Sequence, residues 1–131
     1  MSLVLACGVF DLLHVAHKRH LEQASEFGEL VVGVTRDLYV GKAGRPIISD
    51  AERLELVKSF RFVSDAKLCN DSIDALIMFE PDIFVKGHDY RRKGLLDSEL
   101  EYCKAHEIEI RFTKENPQTT TKIIERIKCA S

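Results

Sequence analysis

The sequence predicts an α/β protein in three α/β/α layers, with a five-stranded parallel sheet between the helices. Short apolar segments alternate with longer amphipathic segments five times along the chain, and this alternation is typical of a parallel sheet covered on both faces. Two of the apolar segments, 3–7 and 83–85, are unbroken, as expected of strands buried on both faces. Right-handed crossovers favour the strand order 3-2-1-4-5, the arrangement called Rossmann-like.

The first half of the chain contains two strands, a helix and a loop. Residues 3–7 form the first strand, and from 13 to 27 apolar residues recur at helical spacing. Gly28 is well placed to end this helix. A second apolar strand covers 30–34, and the glycines and proline of 35–48 predict a loop.

The middle of the chain repeats this pattern with clearer boundaries. Residues 49–52, Ser-Asp-Ala-Glu, have the spacing of a capping box and begin a helix that ends near residue 60. The third strand, 62–68, is more polar, so we expect it near an edge of the sheet. Asp71 or Ser72 caps a third helix over 73–79, which Pro81 closes.

The last part of the chain completes the alternation. Strand four, 83–85, is followed by a basic loop and a helix over 96–106. Residues 108–112 alternate apolar and charged side chains, which indicates a strand exposed on one side at an edge. Threonines 119–121 open a final helix that runs to about residue 128.

Composition places the chain among ordinary globular proteins. Of its 131 residues, 45% are apolar and 31% charged, and the length suits one domain, residues 1–131. A net charge of -2 argues against a general binder of nucleic acid. The sequence shows neither a membrane span nor a signal peptide, so we expect a cytoplasmic protein without a membrane partner.

Two segments with unusual composition are predicted to meet. In an open parallel sheet, ligands bind at the carboxyl ends of the strands, where the strand order reverses. In the predicted order this reversal lies between strands one and four. The segments that follow these strands are Gly8–His17 and Lys86–Tyr90, and together they predict the site.

The residue types in these segments favour phosphate as the ligand. Gly8 lets backbone approach a ligand, and the helix N-terminus that follows offers free N–H groups and the positive end of a dipole. His14 and His17 lie one helical turn apart, so both imidazoles can donate hydrogen bonds to one phosphoryl group. Further groups suited to phosphate are Lys42, Arg45, Lys86, Thr119, Thr120 and Thr121.

Three motifs resemble those of one known family. Residues 8–17, Gly-Val-Phe-Asp-Leu-Leu-His-Val-Ala-His, resemble the G-x-F-D-x-x-H-x-G-H signature of the cytidylyltransferase-like nucleotidyltransferases. Residues 85–90 resemble the family's V-K-G-x-D-[YW] segment, and residues 119–124 its S-T-[TS]-x-I-[IL] segment. Arg53 and Arg61 stand where relatives place arginines, although both could equally form ion pairs on a helix surface.

The resemblance implies transfer of a nucleoside monophosphate from CTP or ATP to a phosphorylated polyol or sugar, such as glycerol 3-phosphate or a heptose phosphate. Pyrophosphate would leave, and Mg²⁺ would accompany the nucleoside triphosphate. The implied catalytic residues are His14, His17 and Lys42. The implied nucleotide-binding residues are Gly8, Val9, Phe10, His14, His17, Lys86, Gly87, Asp89, Thr119, Thr120 and Thr121. The implied substrate-binding residues are Asp11, Lys42, Arg45, Arg53 and Arg61. Relatives are often homodimers.

Two departures from the family pattern leave an alternative open. Ala16 stands where the signature has glycine, and its methyl group could crowd the nucleotide. The stretch Lys114–Gln118 lacks an arginine that relatives often have, and a lysine cannot reproduce its bidentate hydrogen bonding. The alternative is therefore a non-catalytic nucleotide-binding or regulatory module of the same fold.

No metal site built from protein side chains is predicted. The four cysteines form no C-x-x-C pair, which favours reduced thiols over a disulfide framework or a zinc finger. His14, His17 and His20 are spaced three apart, but each step rotates the side chain by about 60° and no acidic ligand is well placed. His20 and His106 are interpreted as surface groups.

Overall fold

The computed structural model describes residues 1–114 and 119–130 of the chain. Its five strands form one parallel sheet in the order β3-β2-β1-β4-β5, which confirms the predicted order and the two edge strands. The strands are β1 Leu3–Gly8, β2 Glu29–Thr35, β3 Asp65–Cys69, β4 Ile83–Lys86 and β5 Glu109–Phe112. The helices are α1 Val15–Ser25, α2 Asp50–Lys58, α3 Ser72–Phe79, α4 Asp89–Lys93, α5 Asp97–Ala105 and α6 Thr120–Ala130, with a 3-10 turn at Asp37–Tyr39.

Helices cover both faces of the sheet, as the unbroken apolar strands predict. Successive residues of a strand point to opposite faces, so β1 contributes to two separate clusters. Val4 and Ala6 pack with α1 and α2, whereas Leu5 packs with α3 and α5. All three side chains are fully buried. The central strand β1 is therefore held from both sides, and its carboxyl end is a rigid platform for the site.

Two helix starts carry the predicted N-caps, but the second half of the capping box, a hydrogen bond from the Ser49 amide to the Glu52 side chain, is not among the hydrogen bonds of the described residues. The Ser49 hydroxyl accepts a hydrogen bond from the Glu52 amide at 3.4 Å, and the Asp71 carboxylate accepts one from the Asp74 amide at 2.8 Å. Gly28 follows the last turn of α1, where a Cβ would overlap the carbonyl oxygen of Ser2. This position therefore requires glycine, because the chain passes so close to its own N-terminus.

Some element boundaries differ from the prediction. The strand predicted from residue 62 begins at Asp65, because Phe60 and Phe62 stack on each other, with ring centroids 5.3 Å apart, as part of a turn. Two short helical segments, Asp37–Tyr39 and α4, lie in stretches predicted as loops. Both are too short to show a helical apolar pattern.

In the described ranges, 1–114 and 119–130, no helix is long and apolar enough to cross a membrane. All four cysteines are free thiols, as predicted.

Candidate active site

A cleft of about 530 Å³ opens at the carboxyl end of the sheet, where β1 and β4 are neighbours. It lies between the segments that follow β1, β2, β4 and β5, so the two segments predicted to meet do meet. The predicted residues that line it are Gly8, Val9, Phe10, Asp11, His14, His17, Lys42, Arg45, Gly87, Asp89, Thr119, Thr120 and Thr121.

The turn between β1 and α1 holds two residues in an unfavourable backbone conformation. Phe10 and Leu12 have φ angles of 56° and 50°, in the left-handed region that non-glycine residues seldom adopt. This turn folds the Phe10 ring back under Gly8, where a Cβ would lie 3.0 Å from the ring atoms. The Phe10 ring in turn meets His17 edge-on, with ring centroids 5.7 Å apart. Gly8 thus makes room for Phe10, which supports one of the two histidines.

The two histidines are oriented by reciprocal backbone hydrogen bonds at the start of α1. His14 is the N-cap, and its Nδ1 accepts a hydrogen bond from the Ala16 amide at 3.1 Å. The His14 amide donates to Nδ1 of His17 at 3.2 Å. Because both Nδ1 atoms accept, the ring proton of each neutral imidazole is on Nε2. The ring centroids are 4.1 Å apart.

Both imidazoles are neutral at neutral pH. Burial lowers the pKa of His14 below its ordinary value. Burial, followed by the nearby His14 and His20, lowers the pKa of His17 to about 4. Nε2 of His14 is buried and has no hydrogen-bond partner among the residues that the structure describes. The site therefore offers two N–H donors whose direction is fixed before any ligand binds.

The carboxylate of Asp11 is already hydrogen-bonded to other residues of the protein. This buried carboxylate accepts hydrogen bonds from Nε of Arg45 at 2.7 Å and from the amides of Ile47 and Ile48 at 2.9 Å each. Burial acts to raise the pKa of Asp11, but these hydrogen bonds outweigh it, so the pKa is lowered. The structure thus places Asp11 as the anchor of the loop after β2, whereas the sequence predicted substrate binding.

The three predicted cations occupy different environments. Lys42 is exposed on the loop at the cleft, and Arg45 beside it pairs with Asp11. Lys86 is not among the residues that line the cleft. Its Nζ lies 3.1 Å from the buried Glu99 carboxylate and 4.1 Å from the centre of the Tyr90 ring. Of these three cations, Lys42 is therefore the most accessible to a ligand, and Lys86 forms part of the cleft's support.

The two predicted substrate-binding arginines lie outside the cleft lining. Arg53 is fully buried, and its guanidinium donates to the carbonyl oxygens of Val9, Thr35 and Ile48 and to the Asp37 carboxylate. Arg53 therefore fastens together the chain segments after β1 and β2. Arg61 is exposed in the turn that follows α2, close to the amino end of β2. Neither arginine thus borders the cleft, and substrate binding by Arg53 and Arg61 stays a prediction.

The start of α6 forms the third wall. The hydroxyl of Thr119 accepts a hydrogen bond from the Lys122 amide at 3.1 Å, as an N-cap does. The hydroxyl of Thr120 donates to the carbonyl oxygen of Asp11 at 3.0 Å. Thr121 is exposed at the cleft. Of the departing stretch Lys114–Gln118, only Lys114 lies within the described residues, and it lines the cleft.

The sequence interpretation of His20 as a surface group is wrong. His20 lines the cleft, and its Nδ1 lies 2.7 Å from the hydroxyl oxygen of the buried Thr113. Burial, with a smaller contribution from the charge of Lys86, lowers its pKa to about 4. The regular spacing of the three histidines indicates that His20 lies near the other two, but it does not predict the partner Thr113 directly after β5. His106 is exposed, as predicted.

Among the described residues, no group of three or more His, Cys, Asp or Glu side chains is placed to hold a metal ion. The acid nearest the histidine pair in sequence, Asp11, already accepts three hydrogen bonds.

Comparisons with known proteins agree with the three motifs. The family model of the cytidylyltransferase-like proteins matches residues 5–126. The FAD synthase of Methanohalophilus mahii is 44% identical over 92 residues, which are 68% of this chain and 65% of that protein. The bifunctional protein HldE of Geotalea uraniireducens is 33% identical over 135 residues, 98% of this chain and 27% of that protein. The chain thus spans less than two thirds of the length of each of these relatives.

A solved structure extends the agreement to the fold. The lipopolysaccharide core biosynthesis protein of Thermoplasma volcanium GSS1 superposes with a TM-score of 0.75 and 32% sequence identity, over 88% of this chain and 98% of that chain. One conclusion follows from the fold, from the site at the carboxyl end of β1 and from the match of residues 5–126 to the family model. The chain belongs to the cytidylyltransferase-like family.

Proposed function

We propose that the chain transfers the adenylyl group of ATP to the phosphate of a small phosphorylated polyol or sugar and releases pyrophosphate. The observation that carries this proposal is the pair of Nε2–H donors on His14 and His17 at the N-terminus of α1. Such a pair suits negative charge that builds up on phosphate oxygens in a transition state.

The reaction needs no covalent intermediate with the protein. An oxygen of the acceptor phosphate attacks the α-phosphorus of ATP, a new P–O bond forms, and the bond between the α-phosphorus and the bridging oxygen breaks. The electrons of that bond leave with pyrophosphate. His14 and His17 donate hydrogen bonds to the phosphoryl oxygens, and the N-terminus of α1 contributes the positive end of the helix dipole. These groups are fixed in advance, which favours reaction by orientation.

The loop after β2 is proposed to hold the acceptor phosphate. Lys42 is exposed there and is free to reach a phosphate at the cleft. Arg45 lies beside it with its Nε bound to Asp11, so the loop position is defined. The acceptor is therefore proposed to lie on the β2 side of the histidine pair. Asp11 and Arg53 then act on the substrate indirectly, because they shape the loop.

Mg²⁺ is proposed to arrive with the nucleoside triphosphate. When bound to the phosphate oxygens, it neutralises part of their charge. The carboxylate of Asp11 is already satisfied, and exposed Asp89 is the acid at the cleft that remains accessible.

ATP is favoured over CTP by the relatives. The matched FAD synthase carries a name that implies adenylyl transfer, and HldE supports adenylyl transfer in general. The acceptor of the FAD synthase would be a flavin nucleotide. The lining of the present cleft is rich in cations and hydroxyl groups, which fits hydroxyl-bearing acceptors better than a broad flavin ring. The cytoplasmic location, the homodimer and the single-domain organisation stay predictions.

The alternative function is nucleotide binding without catalysis, and Ala16 is the observation that favours it. Ala16 lies on the first turn of α1 and lines the cleft. The orientation of both imidazoles is intact, however, and this favours the enzyme.

Pyrophosphate release tests the proposal. The protein is incubated with ATP or CTP, Mg²⁺ and one acceptor from a panel that contains glycerol 3-phosphate, sugar 1-phosphates and FMN. We expect release with ATP and a polyol or sugar phosphate, and none without an acceptor. FMN as the preferred acceptor would refute the acceptor class, and CTP as the preferred donor would refute the nucleotide. Tight ATP binding without release from any acceptor would establish the non-catalytic alternative.

A further inference from the structure

His20 is a third imidazole in the cleft that the proposed reaction leaves without a role. It follows His17 by one turn of α1 and lies on the side of the cleft formed by the ends of β4 and β5. The loop with Lys42 follows β2, on the other side of β1. If the acceptor lies beside that loop and the phosphates lie at the histidine pair, the nucleoside continues toward His20.

The His20 ring is held rigidly. Its Nδ1 is 2.7 Å from the hydroxyl oxygen of Thr113. Thr113 is itself buried, and its amide donates to the carbonyl oxygen of Lys86 at 3.0 Å. One turn further along α1, the Gln23 side chain accepts a hydrogen bond from the Lys114 amide at 2.7 Å. Two adjacent residues after β5 are thus hydrogen-bonded to α1, and both line the cleft together with His20.

The free atom of this ring is Nε2. In the part of the chain that the structure describes, Nε2 of His20 has no hydrogen-bond partner. It is also not one of the buried polar atoms that lack a partner, so it is not enclosed by the protein. Because the ring is neutral at neutral pH, Nε2 offers one hydrogen bond and no charge. That property suits the edge of a heterocyclic base, which is itself neutral.

Two further features separate His20 from the phosphate-binding end. It lies six residues after the N-cap, which corresponds to about 9 Å along the helix axis, beyond the first turn at which the phosphates are proposed to lie. On the facing segment after β4, a Cβ at Gly87 would meet no heavy atom within 4 Å, so the backbone there borders open space. A flat base can enter such a space.

We propose that His20, held by Thr113, is a specificity-determining residue that contacts the base of the nucleoside triphosphate. The inference rests on the proposed function only for the position of the phosphates. It assigns the base to the β4–β5 side of the cleft. A base-contacting group that is fixed in one orientation discriminates between bases, because a wrong base leaves it unpaired.

Binding of two ligands to the whole chain tests this proposal. ATP and inorganic tripolyphosphate are titrated into the wild type and into His20→Leu by calorimetry. Loss of one hydrogen bond is expected to weaken ATP binding by about five- to tenfold. Tripolyphosphate has no base, so its affinity should change by less than about twofold. His106→Leu, on the exposed end of α5, is the matched control and should alter neither affinity.

Thr113→Val provides a second route that leaves the imidazole in place. It removes the hydroxyl that holds the ring, and it should weaken ATP binding in the same direction but by a smaller factor. Should His20→Leu fail to fold, this variant decides the question. Equal weakening of ATP binding and tripolyphosphate binding would show that His20 contacts the phosphates. Unchanged affinity for both ligands would leave His20 a structural role. Either result overturns the proposal.

Failure here and failure of the proposed function are distinguishable. A wild type that releases pyrophosphate while His20→Leu binds ATP normally refutes only the base contact. A wild type that binds ATP through His20 but releases no pyrophosphate with any acceptor refutes only the reaction. A wild type that does not bind ATP refutes both.

Discussion

The main-chain N–H of His14 donates a hydrogen bond to Nδ1 of His17, at an N–N distance of 3.2 Å. With the matching bond from the Ala16 amide to His14, it fixes the tautomer of both rings. The orientation of the donors is therefore a property of the backbone at the start of α1, and it does not depend on bound substrate.

Replacement of either histidine by alanine should remove most of the turnover. For His14→Ala and His17→Ala we expect kcat to fall by about 100-fold or more, because each loses one fixed donor to the phosphoryl group. Single-turnover pyrophosphate release measures this. His106→Ala, on an exposed helix end, serves as the control. Unchanged turnover in His14→Ala would contradict the mechanism.

Stability should fall at mildly acidic pH. In the folded chain the pKa values of His17 and His20 are about 4, against an ordinary value of 6.5. Between these values the unfolded chain binds more protons than the folded one. The contribution of the two neutral histidines to the unfolding free energy is therefore fully present above pH 6.5 and decreases as the pH falls toward 4. Thermal melts across this window should show a smaller decrease for His17→Gln. Identical pH profiles for the variant and the wild type would refute the assignment.

Arg53 should contribute to stability, and Arg61 should not. Arg53→Met keeps the length of the side chain but leaves buried carbonyl oxygens without a donor, at a cost of about 3 kcal/mol or more in unfolding free energy. Arg61→Met, at an exposed position, should change it by less than about 0.5 kcal/mol. Urea denaturation compares the two. A raised KM for the acceptor in Arg61→Met would show that this residue does bind substrate.

Ala16→Gly should strengthen nucleotide binding. Ala16 lines the cleft on the first turn of α1, so removal of its methyl group should let the triphosphate approach the helix. Glycine in a helix costs up to about 1 kcal/mol, so the melting temperature should fall slightly. Calorimetric titration of ATP measures the gain. An unchanged affinity would mean that the methyl group does not touch the nucleotide.

The sequence was sufficient for the strand order and for the place of the site. Local patterns, such as the unbroken apolar strand 83–85 and the alternation of strands and helices, can be read from short segments of the sequence. Because crossovers between parallel strands are right-handed, only a few strand orders then remain possible, and the observed order is one of them. Gly8–His17 and Lys86–Tyr90 follow neighbouring strands, so their meeting was predictable.

The roles of several charged residues were not predictable. Lys86 and Arg53 carry charges that are typical of ligand contacts, but the structure pairs Lys86 with Glu99 and buries Arg53 among carbonyl oxygens. These partners depend on how the side chains pack after the chain has folded. The bond between His20 and Thr113 joins positions 93 residues apart, and no local pattern contains it.

Asp11 is bound on both sides, through its carboxylate to the loop at Arg45–Ile48 and through its carbonyl oxygen to Thr120. Asp11 thus contacts both the loop proposed to hold the acceptor and the start of α6. Because one residue carries both contacts, the loop and the start of α6 are not positioned independently of each other.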